Sequence, residues 1–327
     1  MRRPHDGIVS TIGDTPLVRL ERIFPDLKAQ LYAKIECFNP GGSIKDRVAH
    51  RLIHTAVASG ELTPGRSVVV ESSSGNLAIG LAQVCRYYDL RCICVIDAKT
   101  TSQNKALLTA FGAEVDVVTV PDEATGEYLP ARLRRVREIV AATPHSFWPN
   151  QYANPLNPAA HRQTMAEIVE ALDGRVDVLF CAVSSCGTLR GCVEYVREAG
   201  LPTVVVGVDA VGSAIFGETS RVRRLLPGHG AAIRPALYHP NLADHVVHVT
   251  DADCVAACRR LVRREAMLAG GSSGAVLAAV DAWRPRIAPG ANAVVVFPDG
   301  GDRYLDTIFS DGWVRENFGE ITHLWKG

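Results

Sequence analysis

The stretch Asn39-Pro40-Gly41-Gly42-Ser43-Ile44-Lys45-Asp46-Arg47 delivers one lysine from a loop of turn residues to the start of a run of helical length that Gly60 closes. A helix N-terminus carries partial positive charge and unpaired N–H groups, so an amine on its first turn is biased toward the neutral, nucleophilic form. Neutral lysine forms Schiff bases with carbonyl groups. A lysine at a helix start is equally an ordinary solvated charge, and the choice between the two readings rests on what else the chain supplies.

Four Gly- and Ser-rich loops bear on it. In Glu71-Ser72-Ser73-Ser74-Gly75-Asn76-Leu77, hydroxyls, backbone N–H groups and a carboxamide converge after an apolar run, which suits a carboxylate and a ring hydroxyl; a plain capped helix start is the alternative. In Ser184-Ser185-Cys186-Gly187-Thr188-Leu189-Arg190-Gly191, small residues let consecutive N–H groups face an anion such as phosphate. That loop has neither the Gly-Lys-Ser/Thr of a nucleotide P-loop nor the Gly-x-Gly-x-x-Gly of a dinucleotide site. Gly270-Gly271-Ser272-Ser273-Gly274-Ala275 opens a helix, and Pro298-Asp299-Gly300-Gly301-Asp302-Arg303-Tyr304 follows another apolar run. Each loop alone is punctuation. Together they offer an amine, an anion nest, hydroxyls and a carboxamide.

The elements that must position these groups alternate between short Val/Ile/Cys-rich runs and Ala/Leu/Arg-rich segments, the pattern of a parallel sheet with helices on its faces, so the fold class is α/β. Strands are expected at Ser67 to Glu71, Arg91 to Asp97, Glu114 to Thr119, Val176 to Val183, Thr203 to Val208 and Ala291 to Phe297. Helices are expected at Asp46 to Ser59, Leu77 to Tyr88, Ser102 to Gly112, Leu129 to Ala142 and Asp251 to Ala269. In open α/β sheets ligands bind outside the carboxyl ends of strands, where several of these loops fall. At 327 residues the chain suits two domains. Lys plus Arg and Asp plus Glu both number 35, which gives no reason to expect nucleic acid or a membrane as partner and points to small molecules. The nine cysteines form no Cys-x-x-Cys unit and read as reduced thiols, and no run is long and apolar enough to span a bilayer, so a cytoplasmic location is expected.

The order of these motifs resembles the fold type II pyridoxal-phosphate enzymes of the cysteine synthase and cystathionine β-synthase family, over nearly the whole chain. That family's Asn-Pro-x-x-Ser-x-Lys-Asp-Arg is present as Asn39, Pro40, Ser43, Lys45, Asp46 and Arg47, which implies Lys45 as the Schiff-base lysine and catalytic residue. Its Thr-Ser-Gly-Asn-Thr loop maps onto Ser73-Ser74-Gly75-Asn76-Leu77: Asn76 is implied to bind the cofactor's ring oxygen, and Ser73, Ser74 and Gly75 the substrate carboxylate. Leu77 replaces a hydroxyl residue, and the resemblance leaves it shaping the substrate pocket. The family's Gly-Thr-Gly-Gly-Thr phosphate loop corresponds to Ser184, Ser185, Cys186, Gly187 and Thr188, its Gly-x-Ser-Ser-Gly places Ser272 at the pyridine nitrogen, and Gln151 takes the place of a glutamine that lines the substrate pocket. A hydroxyl does not hold that nitrogen protonated, which favours β-elimination followed by addition of a nucleophile, with Lys45 moving the α-proton. The implied cofactor is pyridoxal 5'-phosphate, with no metal.

The resemblance also implies two doubly wound, three-layer domains of the tryptophan synthase β-like kind, with the cofactor in the cleft between them. A larger cofactor-binding domain is expected from residues 1–45 and 151–327, and a smaller, mobile, substrate-binding domain from 46–150. A homodimer is implied. No haem-bearing N-terminal extension and no C-terminal regulatory domain are expected.

Within the family, Glu71 to Leu77, Gly126-Glu127-Tyr128-Leu129 with Arg132, and Asn150 to Asn154 are similar to the siderophore-pathway branch. Its members join O-phospho-L-serine to L-glutamate, giving N-(2-amino-2-carboxyethyl)-L-glutamate, a precursor of 2,3-diaminopropionate. Such anionic substrates call for cations, and Arg132, Arg162 and Arg234 are the candidates, each also readable as a solvated surface residue. The alternatives are an O-acetylserine or O-phosphoserine sulfhydrylase, then a cystathionine β-synthase or serine/threonine dehydratase, and outside catalysis a cofactor-free regulatory homologue. His50 and His54 lie four apart on one helix but have no third metal ligand in sequence context, and Cys92, Cys94, Cys254 and Cys258 are expected in the core.

Overall fold

The computed structural model describes residues 4–124, 126–217 and 224–326. Its principal elements, in chain order, are β1 (Leu17–Leu20), β2 (Gln30–Ile35), α1 (Lys45–Ala58), β3 (Val68–Ser72), α2 (Asn76–Tyr87), β4 (Arg91–Asp97), α3 (Ser102–Ala110), β5 (Glu114–Val118), α4 (Tyr128–Ala142), β6 (Ser146–Phe147), α5 (Leu156–Ala171), β7 (Val178–Ala182), α6 (Gly187–Glu198), β8 (Val204–Ala210), β9 (His245–Val249), α7 (Asp251–Glu265), α8 (Gly271–Trp283), β10 (Asn292–Phe297) and α9 (Asp311–Phe318). The chain divides into two compact units, one of residues 1–12 with 39–157 and the other of 13–38 with 158–327. Residues 4–12, 39–45 and 151–157 therefore pack with the smaller unit, where the sequence had placed them in the larger domain. The Gly41 N–H is held by Asp46 of α1 and the Gln151 N–H by Glu71 of β3, which ties the last two of these stretches to the smaller unit.

The smaller unit is built on a four-stranded parallel sheet in the order β5-β4-β3-β6. β3 is a run of three valines followed by Glu and Ser, buried at all five positions, as a strand covered on both faces must be. From β3 the chain steps outward through β4 to β5 and then returns to the other side of β3 as β6. That reversal is the switch point at which α/β sheets gather ligands, beyond the ends of β3 and β6. Gly80 lets α2 settle on α1, because a Cβ there would stand 3.2 Å from Ala49 Cβ and 3.3 Å from the Lys45 carbonyl oxygen.

The larger unit carries a six-stranded sheet, β1-β2-β10-β7-β8-β9, parallel except for the β1–β2 pair. Here the order reverses between β10 and β7, which places the loops after both strands at a second switch point. Phe180, Phe297, Leu31 and Leu261 are fully buried in its core, each stabilising the fold by roughly 2–3 kcal/mol. α7 starts in a capping box, Thr250 accepting from the Asp253 N–H and Asp253 from the Thr250 N–H. It packs on α8 at Gly274, where a Cβ would come within 2.3 Å of the Cys254 carbonyl oxygen.

The α/β class and all six expected strands are present, with ends shifted by one or two residues. The helix expected over Asp251 to Ala269 stops at Glu265, because Ala266 turns left-handed at φ 55° and the chain then runs to a bridge between Ala269 and Gly300. α5, α6, α9 and strands β1, β2, β6 and β9 were not anticipated. None of the nine cysteines is in a disulfide; eight are buried and Cys37 is half-buried. His50 and His54 stack at 5.3 Å, and His54 Nδ1 lies 3.0 Å from Tyr88 Oη. No helix of the described residues is long and apolar enough to cross a membrane.

Candidate active site

In the smaller unit the turn before Lys45 closes through the Gly42 N–H, which donates to the Asn39 carbonyl at 2.8 Å. The Gly41 N–H donates to Asp46 Oδ2 at 2.6 Å, and a Cβ on Gly41 would collide with the same carboxylate at 2.6 Å, so only glycine admits this clasp. Lys45 is the first residue of α1, half-buried, and its N–H donates to Ser43 Oγ at 3.2 Å. The Lys45 side chain thus rises from a turn fixed at both ends.

Beyond β3, Ser73 caps α2: its Oγ accepts the Ala78 N–H at 3.3 Å and the Gly75 N–H at 3.4 Å. Asn76 opens the helix, whereas Leu77 turns inward and is fully buried. The Ser74 carbonyl accepts from Asn104 Nδ2 at 3.0 Å, and its hydroxyl accepts from Arg132 Nη1 at 2.8 Å. Arg132, on α4, is only 9 % exposed, pairs with Asp97 Oδ2 at 3.3 Å, and has no partner for Nε among the described residues. Gln151 is buried with its carbonyl accepting from Asn157 Nδ2 at 2.8 Å, while its N–H donates to Glu71 Oε2 at 3.2 Å. Glu71, at 1 % exposure, also accepts from the Ser72 N–H at 2.8 Å and the Trp148 indole at 3.2 Å. Burial pushes its carboxyl up to about 7, against the downward pull of these donors.

In the larger unit β7 runs into Ser184–Thr188 and then α6. Cys186 sits left-handed at φ 69° just before α6, a backbone turn of the kind that forms anion nests, and the Gly187 N–H donates to Ser185 Oγ at 3.4 Å. Burial, and then the nearby Asp209, push the Cys186 thiol up to about 12, so it adds no negative charge to this anion nest. Thr188 Oγ1 is held 3.3 Å from His161 Nε2, and Ser184 Oγ donates to the Gly230 carbonyl at 3.4 Å. Ser272, in the first turn of α8, is 3 % exposed and faces Gly228; the hydroxyl next to it, Ser273 Oγ, is buried with no hydrogen-bond partner among the described residues. A buried hydroxyl and a Gly/Ser loop without a carboxylate in the larger unit, and an amine and a carboxamide each on a helix start in the smaller one, are the kinds of group that pyridoxal phosphate requires, and the residue types fit it.

Next to Gly228, His229 is buried with Nε2 at 3.6 Å from Cys254 Sγ. Burial, helped by Arg224, lowers its pKa to about 4. A histidine depressed in this way stabilises the fold fully above its ordinary value near pH 6.5, and the stabilisation is lost as pH falls toward 4. Between about pH 7 and 5 the loss is about 2 kcal/mol. Glu71 acts in the opposite sense over that range, its raised carboxyl favouring the fold at lower pH, so wild type alone does not separate them. A His229→Leu variant is therefore expected to gain on wild type by about 2 kcal/mol as the pH is lowered through that interval, measured by denaturant melts; a pH-independent difference would refute the assignment.

Of the arginines foreseen, Arg132 is at the Ser74 loop. Arg162 is instead engaged by Glu198 in a fork on the surface, and Arg234 is exposed, donating to the Ile215 carbonyl at 3.1 Å and lying over Tyr238 at 4.6 Å. Glu71, Asp97 and His161 were not singled out. For Glu71 the available signal was an acid ending an otherwise apolar strand directly before a Ser-rich loop.

The chain matches the family described as pyridoxal-phosphate dependent enzyme over residues 8–299. It is 44 % identical over 309 residues to the N-(2-amino-2-carboxyethyl)-L-glutamate synthase of Ralstonia nicotianae, covering 94 % of this chain and 90 % of the relative. With the protein of the same name from Cupriavidus metallidurans it is 43 % identical over 318 residues, covering 94 % and 91 %. The crystal structure of cysteine synthase from Entamoeba histolytica superposes with a TM-score of 0.85 at 30 % identity, over 94 % of this chain and 90 % of that one. The sequence match along most of the chain and the two motif-bearing units lead to one statement: this chain belongs to the pyridoxal-phosphate-dependent enzymes, of the cysteine synthase-like, fold type II kind.

Proposed function

We propose that the protein joins O-phospho-L-serine to L-glutamate, releasing phosphate and giving N-(2-amino-2-carboxyethyl)-L-glutamate, a step toward 2,3-diaminopropionate for siderophore assembly. The observation that carries this reading is Arg132: a buried guanidinium, bonded to the Ser74 hydroxyl of the carboxylate loop and with Nε unspent, is placed for a substrate richer in negative charge than an acetyl ester. The likeness to two synthases of that name supports the same choice.

In this reading Lys45 would anchor pyridoxal phosphate, the Ser184–Thr188 loop and the Thr188 hydroxyl would hold its phosphate, Asn76 would meet the ring oxygen and Ser272 the ring nitrogen. The bound cofactor supplies the electron sink that acidifies the α-hydrogen of an amino acid. Ser73, Ser74 and the N–H groups opening α2 bind the substrate carboxylate, Gly75 keeps their approach open, and Gln151 and Leu77 bound the pocket. Lys45 Nζ would take the α-proton, phosphate would depart from the β-carbon with the C–O bonding pair, the glutamate amine would bond to that carbon and lose one proton to the departing phosphate, and Lys45 would return the α-proton. The enzyme works as a cytoplasmic homodimer in this proposal.

The test is mass spectrometry of the products formed from O-phospho-L-serine with equimolar L-glutamate and sulfide. The glutamate adduct is expected, with kcat/KM for phosphoserine about tenfold or more above that for O-acetylserine, the worth of one charge-assisted bond. Cysteine as the only product would return the protein to the cysteine synthases, the reading that its structural likeness to one of them favours.

A further inference from the structure

We propose that Glu71 is a positioning residue of this reaction: its buried carboxylate ties the Ser72–Asn76 loop to the segment Trp148–Gln151 across the switch point of the smaller sheet. The inference rests on the reading that Ser73, Ser74 and Gln151 line the substrate site, and it goes beyond it in naming what holds them in register.

β3 and β6 pair only at Val68–Ser146 and Val69–Phe147, so past Phe147 the chain has no strand partner and its N–H groups need other acceptors. Asn150 turns left-handed at φ 48°, which brings the N–H groups of Asn150 and Gln151 round to the same side. Glu71 fills that concavity: Oε2 takes the Gln151 N–H, and Oε1 takes both the Trp148 indole and the N–H of Ser72 in its own strand. One carboxylate thereby joins residues 77 and 80 positions apart. With its carbonyl held by Asn157 as well, Gln151 has its main chain fixed on both sides.

Among the described residues no cation is paired with this carboxylate. The ionisable groups that face it are Cys94 from β4 and Tyr152 beside Gln151, with Arg132 of α4 felt by the same Tyr152. Donors alone hold the charge, so the tie holds only while Glu71 is ionised. On protonation one carboxyl oxygen becomes a donor facing donors, and the tie loosens. The carboxyl titrates at about 7, so the loss sets in as pH falls through neutrality.

The test compares wild-type holoenzyme with Glu71→Gln and Trp148→Phe, measuring kcat and KM against pH with glutamate and, separately, with sulfide as nucleophile. Wild type is expected to lose kcat on the acid side with a midpoint near pH 7. Glu71→Gln should lower kcat by about tenfold or more above that midpoint and remove the acid limb, because an amide does not ionise. Trp148→Phe, which removes one donor to the charged form, should move the limb to higher pH, a shift that a purely structural part for Glu71 would not produce. Should Glu71→Gln fail to fold, the limb shift in Trp148→Phe decides. An acid limb at the same pH in the foldable variants, or kcat within about twofold of wild type in Glu71→Gln, overturns the proposal. The effects are expected with either nucleophile, so a wrong substrate assignment and a wrong role for Glu71 give different results.

Discussion

Replacing Lys45 with alanine is expected to lower turnover by about 10³-fold or more while the fold survives, because in the proposed function one amine both anchors the cofactor and moves the proton. A loss of that size corresponds to about 4 kcal/mol of transition-state stabilisation. Stability should barely change. Lys45 is half-buried at the first position of α1, alanine is the best helix former, and the contacts that shape the turn run through Asn39, Gly41, Gly42 and Asp46. Borohydride reduction followed by peptide mass spectrometry gives a readout apart from rate: wild type should gain one pyridoxyl phosphate on the peptide that contains Lys45, and Lys45→Ala none. Residual turnover within about tenfold of wild type, or a label on another lysine, would remove Lys45 from its assigned role.

The largest effect on stability is expected at Gly191. A Cβ there would stand 2.1 Å from the Pro158 carbonyl oxygen and 2.8 Å from His161 Cβ, contacts too short to survive and with backbone on the nearer side. Gly191→Ala must therefore push α6 away from α5. Overpacking of this kind costs about 3 kcal/mol or more, a fall of at least about 6 °C in Tm. Because α6 begins with the Ser184–Thr188 nest, and His161 holds Thr188, the same displacement should weaken cofactor retention, measured as release during gel filtration. A Tm within about a degree of wild type would mean that the two helices are farther apart than described.

The parts of the site legible in the sequence are those whose chemistry is local. The Lys45 turn, the Ser73–Asn76 cap and the Ser184–Thr188 nest are each made of neighbouring residues, and each follows a continuous apolar run or opens a helix. What escaped notice depends on distant partners. Glu71 reads as a strand end until Trp148 and Gln151 arrive; Arg132 was among three candidate arginines, and what set it apart from Arg162 and Arg234 was the approach of Ser74, 58 positions earlier. β2 was missed because Lys34 looks solvent-facing; instead its Nζ is buried, 2.6 Å from the Thr15 carbonyl and 2.7 Å from Glu167. β9 carries exposed histidines at two of its five positions, and β6 is two residues long, so neither has the period-two pattern of a half-buried strand. The early end of α7 turned on the left-handed Ala266, which nothing local requires.

The pairing of β2 with β10 also decides the order in which the molecule can be completed at the ribosome. Gln30 is in register with Asn292, so the β1–β2 hairpin emerges early and keeps one edge bare until almost the whole chain has been made, a wait on the order of tens of seconds. All four strands of the smaller sheet lie between Val68 and Phe147 and need nothing that comes later. A nascent chain stalled before Asn292 would thus present a finished smaller sheet beside a larger one lacking the strand that joins β2 to β7, and β2 is the edge on which a chaperone would be expected to act.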